Sequence, residues 1–91
     1  MDTSPSSQLE RWLADPAHPE RSQEKLGEIL GVSQAAVSQW KRGKARPDPD
    51  LRRPLQVLTG ISALDWYSPD ERAHIERVEA AVAAELARAA A

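Results

Sequence analysis

The sequence predicts an all-α protein, a compact bundle of about five short helices followed by one long C-terminal helix. Strand signals are weak, because Phe is absent, Tyr67 is the sole tyrosine, and no stretch alternates cleanly between apolar and polar residues. Helix signals are strong, since serines that can cap helix N-termini recur ahead of segments with apolar residues at helical spacing. Glycines that can end these helices follow at Gly31, Gly43 and Gly60.

The length and composition exclude several classes of protein. A chain of 91 residues has room for one modest core, so large architectures are excluded. The absence of Cys excludes disulfides, zinc–thiolate sites and a cysteine nucleophile. No apolar run approaches the roughly 18 residues of a membrane span, and the N-terminal residues lack the basic and apolar stretches of a signal peptide. We therefore expect a soluble, cytoplasmic protein without a membrane partner.

The net charge of −2 is distributed unevenly along the chain. Residues 21–53 contain eight Lys or Arg and four Asp or Glu, whereas the segments on either side are net acidic. A local basic patch on an acidic chain favours one surface for an anionic partner, although a solvated charged loop would give the same pattern. The basic excess lies in Lys41, Arg42, Lys44, Arg46, Arg52 and Arg53.

The first predicted helix follows a polar N-terminal segment. Residues 1–7 are rich in Ser and Pro, and we expect them to be flexible. Ser7 and Glu10 fit a capping box with Ser7 as the N-cap. The pair Asp15-Pro16 ends this helix, because the residue before a proline avoids the helical conformation.

Two short helices and a tight turn are predicted next. Ser22 is the expected N-cap of a helix over residues 23–30, and Ser33 that of a helix over residues 34–40 or slightly beyond. Gly31 lies in the turn, where a residue that tolerates a left-handed conformation is needed. The side chains expected to face inward are Leu26, Ile29, Leu30, Val37 and Trp40.

The fourth predicted helix covers residues 51–59. We expect Pro54 in its first turn, because deeper in the helix it would remove a hydrogen bond and clash with the preceding turn. Residues 62–67 are expected to form one or two further turns. The side chains available to the core are Leu55, Val57, Leu58, Leu64 and Trp66.

The C-terminal helix is predicted over residues 68–91 and carries an apolar stripe. Ser68, Pro69 and Glu71 form a strong start signal, with Ser as N-cap, Pro at the first position and Glu at the third. At about 100° per residue, five side chains fall within a stripe less than about 90° wide. A helix of this length would run about 34 Å, longer than the bundle can cover. We expect a homodimer through this stripe, with folding back onto the bundle or fraying beyond Leu86 as the alternatives. The members of the stripe are Ile75, Val78, Val82, Leu86 and Ala89.

The two helices around the tight turn carry the functional signal. Their apolar and small residues have the spacing by which a helix-turn-helix buries its inner faces: Leu26, Gly27, Leu30, Val32, Val37 and Trp40. With Ser22-Gln23, Gly31, Ser33-Gln34, Ser38-Gln39, Gly43 and Pro47, this pattern resembles the Cro and phage-repressor type of helix-turn-helix. That family is also called xenobiotic-response-element-like and has the lambda-repressor-like DNA-binding fold. The resemblance covers about residues 8–67, and the motif itself covers 22–43. It departs from the family at Gly27, where Ala is most frequent, and in the Pro-rich loop of residues 14–21.

The resemblance implies that the helix over residues 34–41 enters the major groove of a double-stranded DNA operator. The implied base-reading residues are Ser33, Gln34, Ala35, Ser38 and Gln39. A Gln carboxamide can bind N6 and N7 of adenine, and Ala35 is either a contact to a thymine methyl or a small helix former. The implied DNA-backbone residues are Gln23, Lys41, Arg42, Lys44 and Arg46. For the four basic residues, simple solvation is the alternative.

The leading interpretation is a sequence-specific transcriptional regulator, most simply a repressor that binds its operator as a homodimer. The alternative is an antitoxin or a protein-interaction module on the same scaffold, in which the C-terminal helix binds a toxin or another regulator. His18 and His74 fit no metal-ligand pattern, and the sequence contains no Gly-rich phosphate loop. We therefore expect no metal, no cofactor and no enzymatic activity. Trp12, Trp40 and Trp66 are expected to be core anchors.

Overall fold

The computed structural model describes residues 3–90, which form five α-helices, one 3-10 helix and no strand. This confirms the predicted all-α class, with short helices preceding one long C-terminal helix. The described part of the chain measures 50 × 26 × 24 Å. The α-helices are α1 (Pro5–Leu13), α2 (Gln23–Leu30), α3 (Gln34–Lys41), α4 (Pro49–Thr59) and α5 (Pro69–Ala89), and the 3-10 helix spans Ala63–Trp66.

A single apolar core joins the four short α-helices and the 3-10 helix. Trp40 and Trp66 are buried in it, as predicted for core anchors. Trp12 is only half-buried, and the guanidinium of Arg21 lies 4.0 Å from the centre of its ring. No residue of α5 belongs to the core. The buried apolar side chains are Leu9, Leu26, Val37, Trp40, Leu55, Ile61 and Trp66.

Helix α1 begins earlier than predicted. Ser4 is its N-cap and accepts a hydrogen bond of 3.2 Å from the backbone N–H of Ser7, so the prediction that Ser7 is the N-cap is wrong. Pro5 occupies the first helical position, where its missing N–H is not needed, and this favours a start after Ser4. Residues 5–7 of the segment expected to be flexible are therefore helical, while residues 1 and 2 lie outside the described residues.

Helix α4 also begins earlier than predicted, and this moves its internal proline. The N-cap is Asp48, so Pro54 is the sixth helical residue and not part of the first turn. The proline ring leaves the carbonyl of Asp50 without its helical partner, but Asp50 is exposed and water can hydrate that oxygen. Val57 is 76% exposed, which contradicts its predicted role in the core. It lies about 200° around the helix from the buried Leu55, on the opposite face.

Two further apolar residues expected to face inward also lie largely at the surface. Ile29 and Leu58 are both exposed and line the same shallow groove between α2 and α4. The inner face of α2 is instead formed by Leu26, Gly27 and the half-buried Leu30. Both helices were predicted from the sequence, but their predicted apolar faces were wider than the faces that are buried and therefore included Ile29 and Leu58.

The turn after α2 packs directly against Gly27. A Cβ atom built on Gly27 would lie 2.7 Å from the carbonyl oxygen of Val32, closer than real Cβ contacts come. The N–H of Val32 donates to the carbonyl of Gly27 at 2.9 Å, so the turn is held at this distance. The turn that sets the orientation of α3 therefore leaves no room for a side chain at Gly27. This steric limit explains the departure from Ala at this position.

Candidate nucleic-acid interface

The α2–turn–α3 unit is fixed by the local interactions that the sequence predicted. The hydroxyl of Ser22 accepts the N–H of Lys25 at 3.0 Å, and that of Ser33 accepts the N–H of Ala36 at 3.1 Å. Gly31 ends α2 in the left-handed conformation, with φ of 74°, which a residue with a side chain adopts only at a cost. These caps define where α3 begins and hence which of its faces points outward.

The outer face of α3 is formed by four of the predicted base-reading residues. At about 100° per residue, Gln34, Ser38, Ala35 and Gln39 span an arc of about 140°, centred opposite the buried pair of Val37 and Trp40. Gln34, Ala35 and Gln39 are exposed, and Ser38 is half-buried. No described residue forms a hydrogen bond with the side-chain amide of Gln34 or Gln39. Both amides are therefore available to a ligand.

Ser33, the fifth predicted base-reading residue, has a structural role as well. Its hydroxyl oxygen is engaged as the N-cap acceptor of α3. The hydroxyl proton is still available, because a Ser hydroxyl is both a donor and an acceptor. Ser33 can therefore donate to a base or phosphate without losing the cap.

An open cleft joins the start of α2 to the outer face of α3. Gln23, Gln34 and Lys41 line this cleft of about 440 Å³, so the structure brings a predicted base-reading residue together with two predicted backbone-binding residues. Glu10 and Glu24 line it as well. Sequence reasoning missed Glu10, because it approaches α3 only through the packing of α1, and it missed Glu24, although Glu24 directly follows Gln23 in the chain. They give the cleft a mixed charge and would oppose a phosphate placed deep within it.

Three basic residues cluster at the end of α3. The N–H of Gly43 donates to the carbonyl of Trp40 at 3.1 Å, and that of Lys44 donates to the carbonyl of Gln39 at 2.9 Å. This pair of bonds is a Schellman motif, which reverses the chain and satisfies the last carbonyls of the helix. Lys41 is half-buried, whereas Arg42 and Lys44 are exposed. None of the three forms an ion pair with a described residue, so their charges are available to an anionic partner.

Arg46 and Arg52, by contrast, are engaged in contacts within the protein. Nη1 of Arg46 donates to Glu71 Oε1 at 2.8 Å and to the carbonyl oxygen of Trp66 at 3.2 Å. Arg52 is buried, its Nε donates to the carbonyl of Pro47 at 2.9 Å, and its guanidinium stacks 4.3 Å from the ring centre of Tyr67. The basic patch predicted from the sequence is therefore smaller than expected, and Arg52 is part of the structural core.

The apolar stripe on α5 is exposed along most of its length. Val78, Val82 and Leu86 are 48%, 54% and 66% exposed, Ala89 is exposed, and Ile75 is half-buried. The alternative in which α5 folds back onto the bundle is therefore wrong for this structure. From Val78 to Ala89 the stripe is not covered by any described residue.

Between residues 3 and 90, no group of three or more His, Cys, Asp or Glu side chains could hold a metal ion. In the same range, no helix combines the length and apolar character needed to cross a membrane.

Comparison with known proteins agrees with this geometry. Residues 20–51 match the model of a family described as helix-turn-helix, which confirms the resemblance seen in the sequence. The matched segment contains α2, the turn, α3 and the loop leading into α4. No curated protein and no solved structure matches the chain.

Proposed function

We propose that the protein is a cytoplasmic, sequence-specific transcriptional repressor, and that it binds DNA through the helix-turn-helix matched over residues 20–51. It binds a double-stranded DNA operator as a homodimer, with residues 8–67 as its DNA-binding domain and α3 in the major groove. The observation that carries this proposal is the outer face of α3, where two exposed amides lack protein partners. An ordinary solvent-facing helix would present Glu, Lys and Arg along such a face.

Base recognition is assigned to Ser33, Gln34, Ala35, Ser38 and Gln39. The carboxamides of Gln34 and Gln39 lie at either edge of the outer face, about 7.5 Å apart along the helix axis. That separation corresponds to about two base-pair steps at 3.4 Å each. Each amide can bind an adenine bidentately and contribute about 1–3 kcal/mol of discrimination against other bases.

Contacts to the DNA backbone are assigned to Gln23, Lys41, Arg42 and Lys44. The three cations follow the outer face of α3, where the phosphate strands that flank a groove would lie, and Gln23 is the first residue of α2. They supply affinity and register that do not depend on the sequence. Arg46 belonged to the same predicted set, but a phosphate would have to displace Glu71 from its guanidinium.

Dimer formation is assigned to the exposed stripe of α5. One α3 helix contacts only a few base pairs, whereas two protomers would occupy half-sites about 34 Å apart on one face of the duplex. Three exposed branched side chains along one line of a helix favour a second apolar surface, and the surrounding alanines allow close approach of two helices. Repression would follow because a dimer bound across a promoter excludes the transcription machinery.

The DNA-binding proposal is tested by selecting bound sequences from a random double-stranded DNA pool at a fixed salt concentration. We expect enrichment of a site with two symmetry-related halves whose centres are about 10 base pairs apart. A Gln34→Ala/Gln39→Ala variant provides the comparison, because it removes both amides without changing any charge. A wild-type selection that ends with the composition of the starting pool would contradict sequence-specific binding.

The dimer proposal is tested by sedimentation of Val78→Asp/Val82→Asp beside the wild type at matched concentration. Ala80→Asp/Ala84→Asp is the matched control, since it adds the same two charges on the opposite side of the same exposed helix. We expect the wild type and the control to be dimers and the stripe variant to be a monomer. A wild type that is monomeric at high micromolar concentration, or a stripe variant that dimerises as well as the control, would remove α5 from the interface.

A further inference from the structure

We propose that a polar clasp at the start of α5, formed by Arg46, Asp65, Glu71 and Arg72, fixes the direction in which this helix leaves the bundle. In this account Arg46 is a positioning residue and not a phosphate ligand. The inference rests on the proposed function, because the direction of α5 would set the separation of the two α3 helices in a homodimer.

Apolar packing does not fix the direction of α5. None of its residues is buried, and only Ala73 and Ile75 are half-buried. All its residues from Glu76 onward are exposed. The residues just before it border an open cleft of about 290 Å³, lined by Ser6, Gly43, Arg46, Trp66, Tyr67 and Ser68 among others. Another kind of contact must therefore hold the helix at its observed angle.

The first part of the clasp centres on the carboxylate of Glu71. Its Oε1 accepts from Nη1 of Arg46 at 2.8 Å and from the backbone N–H of Ser68 at 2.9 Å. The Ser68 hydroxyl accepts the N–H of Glu71 at 3.2 Å, which completes a capping box. Nη1 of Arg46 also donates to the carbonyl of Trp66 at 3.2 Å. One guanidinium thus joins the loop after α3 to the end of the 3-10 helix and to the first turn of α5.

The ionisation of Glu71 suits this role. The hydrogen bond from Arg46, followed by those from the backbone and hydroxyl of Ser68, lowers the pKa of Glu71 to about 2. The carboxylate is therefore charged throughout the neutral pH range.

The second part of the clasp ties the next residue of α5 to α1. Nη1 of Arg72 donates to Oδ1 of Asp65 at 3.1 Å, and Oδ2 of Asp65 accepts from Nε2 of Gln8 at 3.2 Å. Nε of Arg72 donates to Glu76 within α5 at 3.2 Å, which holds the Arg72 side chain extended along the helix. Glu71 and Arg72 project about 100° apart around α5, so the two ties restrain the helix in two directions.

Both ion pairs are partly exposed, which limits what they contribute to folding. Pairs of this kind are weak and screened by salt, so the bundle should fold without them. Their effect should instead appear in the angle of α5, because the half-buried Ala73 and Ile75 are the part of the helix with apolar packing and every residue from Glu76 to Ala89 is exposed.

The test uses pulsed electron paramagnetic resonance on spin labels at Glu28→Cys in α2 and Ala84→Cys in α5. These labels are unique because the chain has no Cys, and both positions are exposed. Diluting labelled chain with unlabelled chain restricts the measurement to distances within one protomer. Arg46→Met removes the guanidinium but keeps an apolar stem, and Arg77→Met is the matched control on an exposed arginine of α5 without an ion pair to a described residue.

We expect one narrow distance distribution for the wild type and for Arg77→Met. Arg46→Met should broaden or shift it, and adding Arg72→Met should broaden it further, while circular dichroism shows the same helix content. An Arg46→Met/Arg72→Met distribution that coincides with that of Arg77→Met would overturn the proposal. This readout requires neither DNA nor a dimer, so its result stands even if the proposed function fails.

A second readout separates positioning by Arg46 from contact with phosphate. Arg46→Met should weaken binding to a two-half-site operator by up to about fivefold for each clasp that it breaks. A dimer contains two clasps, so the two fold-changes multiply. Binding to an isolated half-site and its salt dependence should not change. A loss on the half-site, together with a salt slope reduced by about 0.9, would assign Arg46 to a phosphate and overturn its role as a positioning residue.

Discussion

Replacing Gly27 by Ala tests whether the close approach of the turn to α2 sets the geometry of the helix-turn-helix. Ala is the better helix former by about 1 kcal/mol, so propensity alone predicts a more stable protein. The new Cβ would lie 2.7 Å from the carbonyl oxygen of Val32 and 3.3 Å from the carbonyl carbon of Ser33. Both atoms are backbone, so they cannot swing aside as the end of a flexible side chain can.

The collision outweighs the gain in propensity. Overpacking of a well-packed interior costs about 1–3 kcal/mol, and a contact with backbone belongs in the upper part of that range. We therefore expect Gly27→Ala to lower the free energy of unfolding by about 1–2 kcal/mol. For a domain of this size, that corresponds to a Tm lower by about 4–16 °C.

The assay is thermal unfolding followed by tryptophan fluorescence, which is sensitive to unfolding because Trp40 and Trp66 are buried in the core. Protein concentrations must be matched, because dimer formation would make the Tm concentration-dependent. Glu28→Ala is the control, since it introduces Ala at an exposed position of the same helix. A Gly27→Ala protein with a Tm equal to or above that of the wild type would refute the steric argument.

Three further predictions concern charged side chains. Neutralising Lys41, Arg42 and Lys44 should weaken binding to every DNA sequence similarly. It should also reduce the slope of log affinity against log salt concentration by about 0.9 for each lost phosphate contact. A triple variant with the same slope as the wild type would assign backbone binding to other residues. Arg46→Met should raise the pKa of Glu71 from about 2 toward 4.5, measured from the ¹³C shift of its carboxyl, and an unchanged pKa would contradict the ion pair. The lowered pKa of Glu71 stabilises the folded state at pH values above the ordinary pKa of a carboxyl group. The difference in the free energy of unfolding between wild type and Glu71→Gln should therefore have its full size at neutral pH. It should disappear as the pH falls from 4.5 toward 2.

Local signals predicted the helix-turn-helix itself. Ser22, Gly31 and Ser33 act on residues within a few positions of themselves, so the bounds of α2 and the start of α3 followed from the sequence. The same local reasoning failed at α1, where the N-cap is Ser4 and not Ser7, and Pro5 occupies the first helical position. It also failed for Val57, because tertiary packing decides which face of a helix is buried.

In the candidate interface, too, local spacing predicted some features, whereas others depended on tertiary packing. Exposure of Gln34 and Gln39 followed from helical periodicity once Val37 and Trp40 were placed in the core. The roles of Arg46 and Arg52 could not be predicted in this way. Glu71 lies 25 residues after Arg46, and Tyr67 is likewise remote from Arg52, so neither contact has a signal in local spacing.

Fluorescence anisotropy on the selected operator and on a scrambled duplex tests most directly the claim that the outer face of α3 reads DNA bases. Gln34→Ala and Gln39→Ala should each lose about 1–3 kcal/mol of binding free energy on the operator and accept other bases at the position they read. Their binding to the scrambled duplex should match that of the wild type, because neither change removes a charge. If both variants kept full affinity and the same sequence preference, α3 would not be the reading helix.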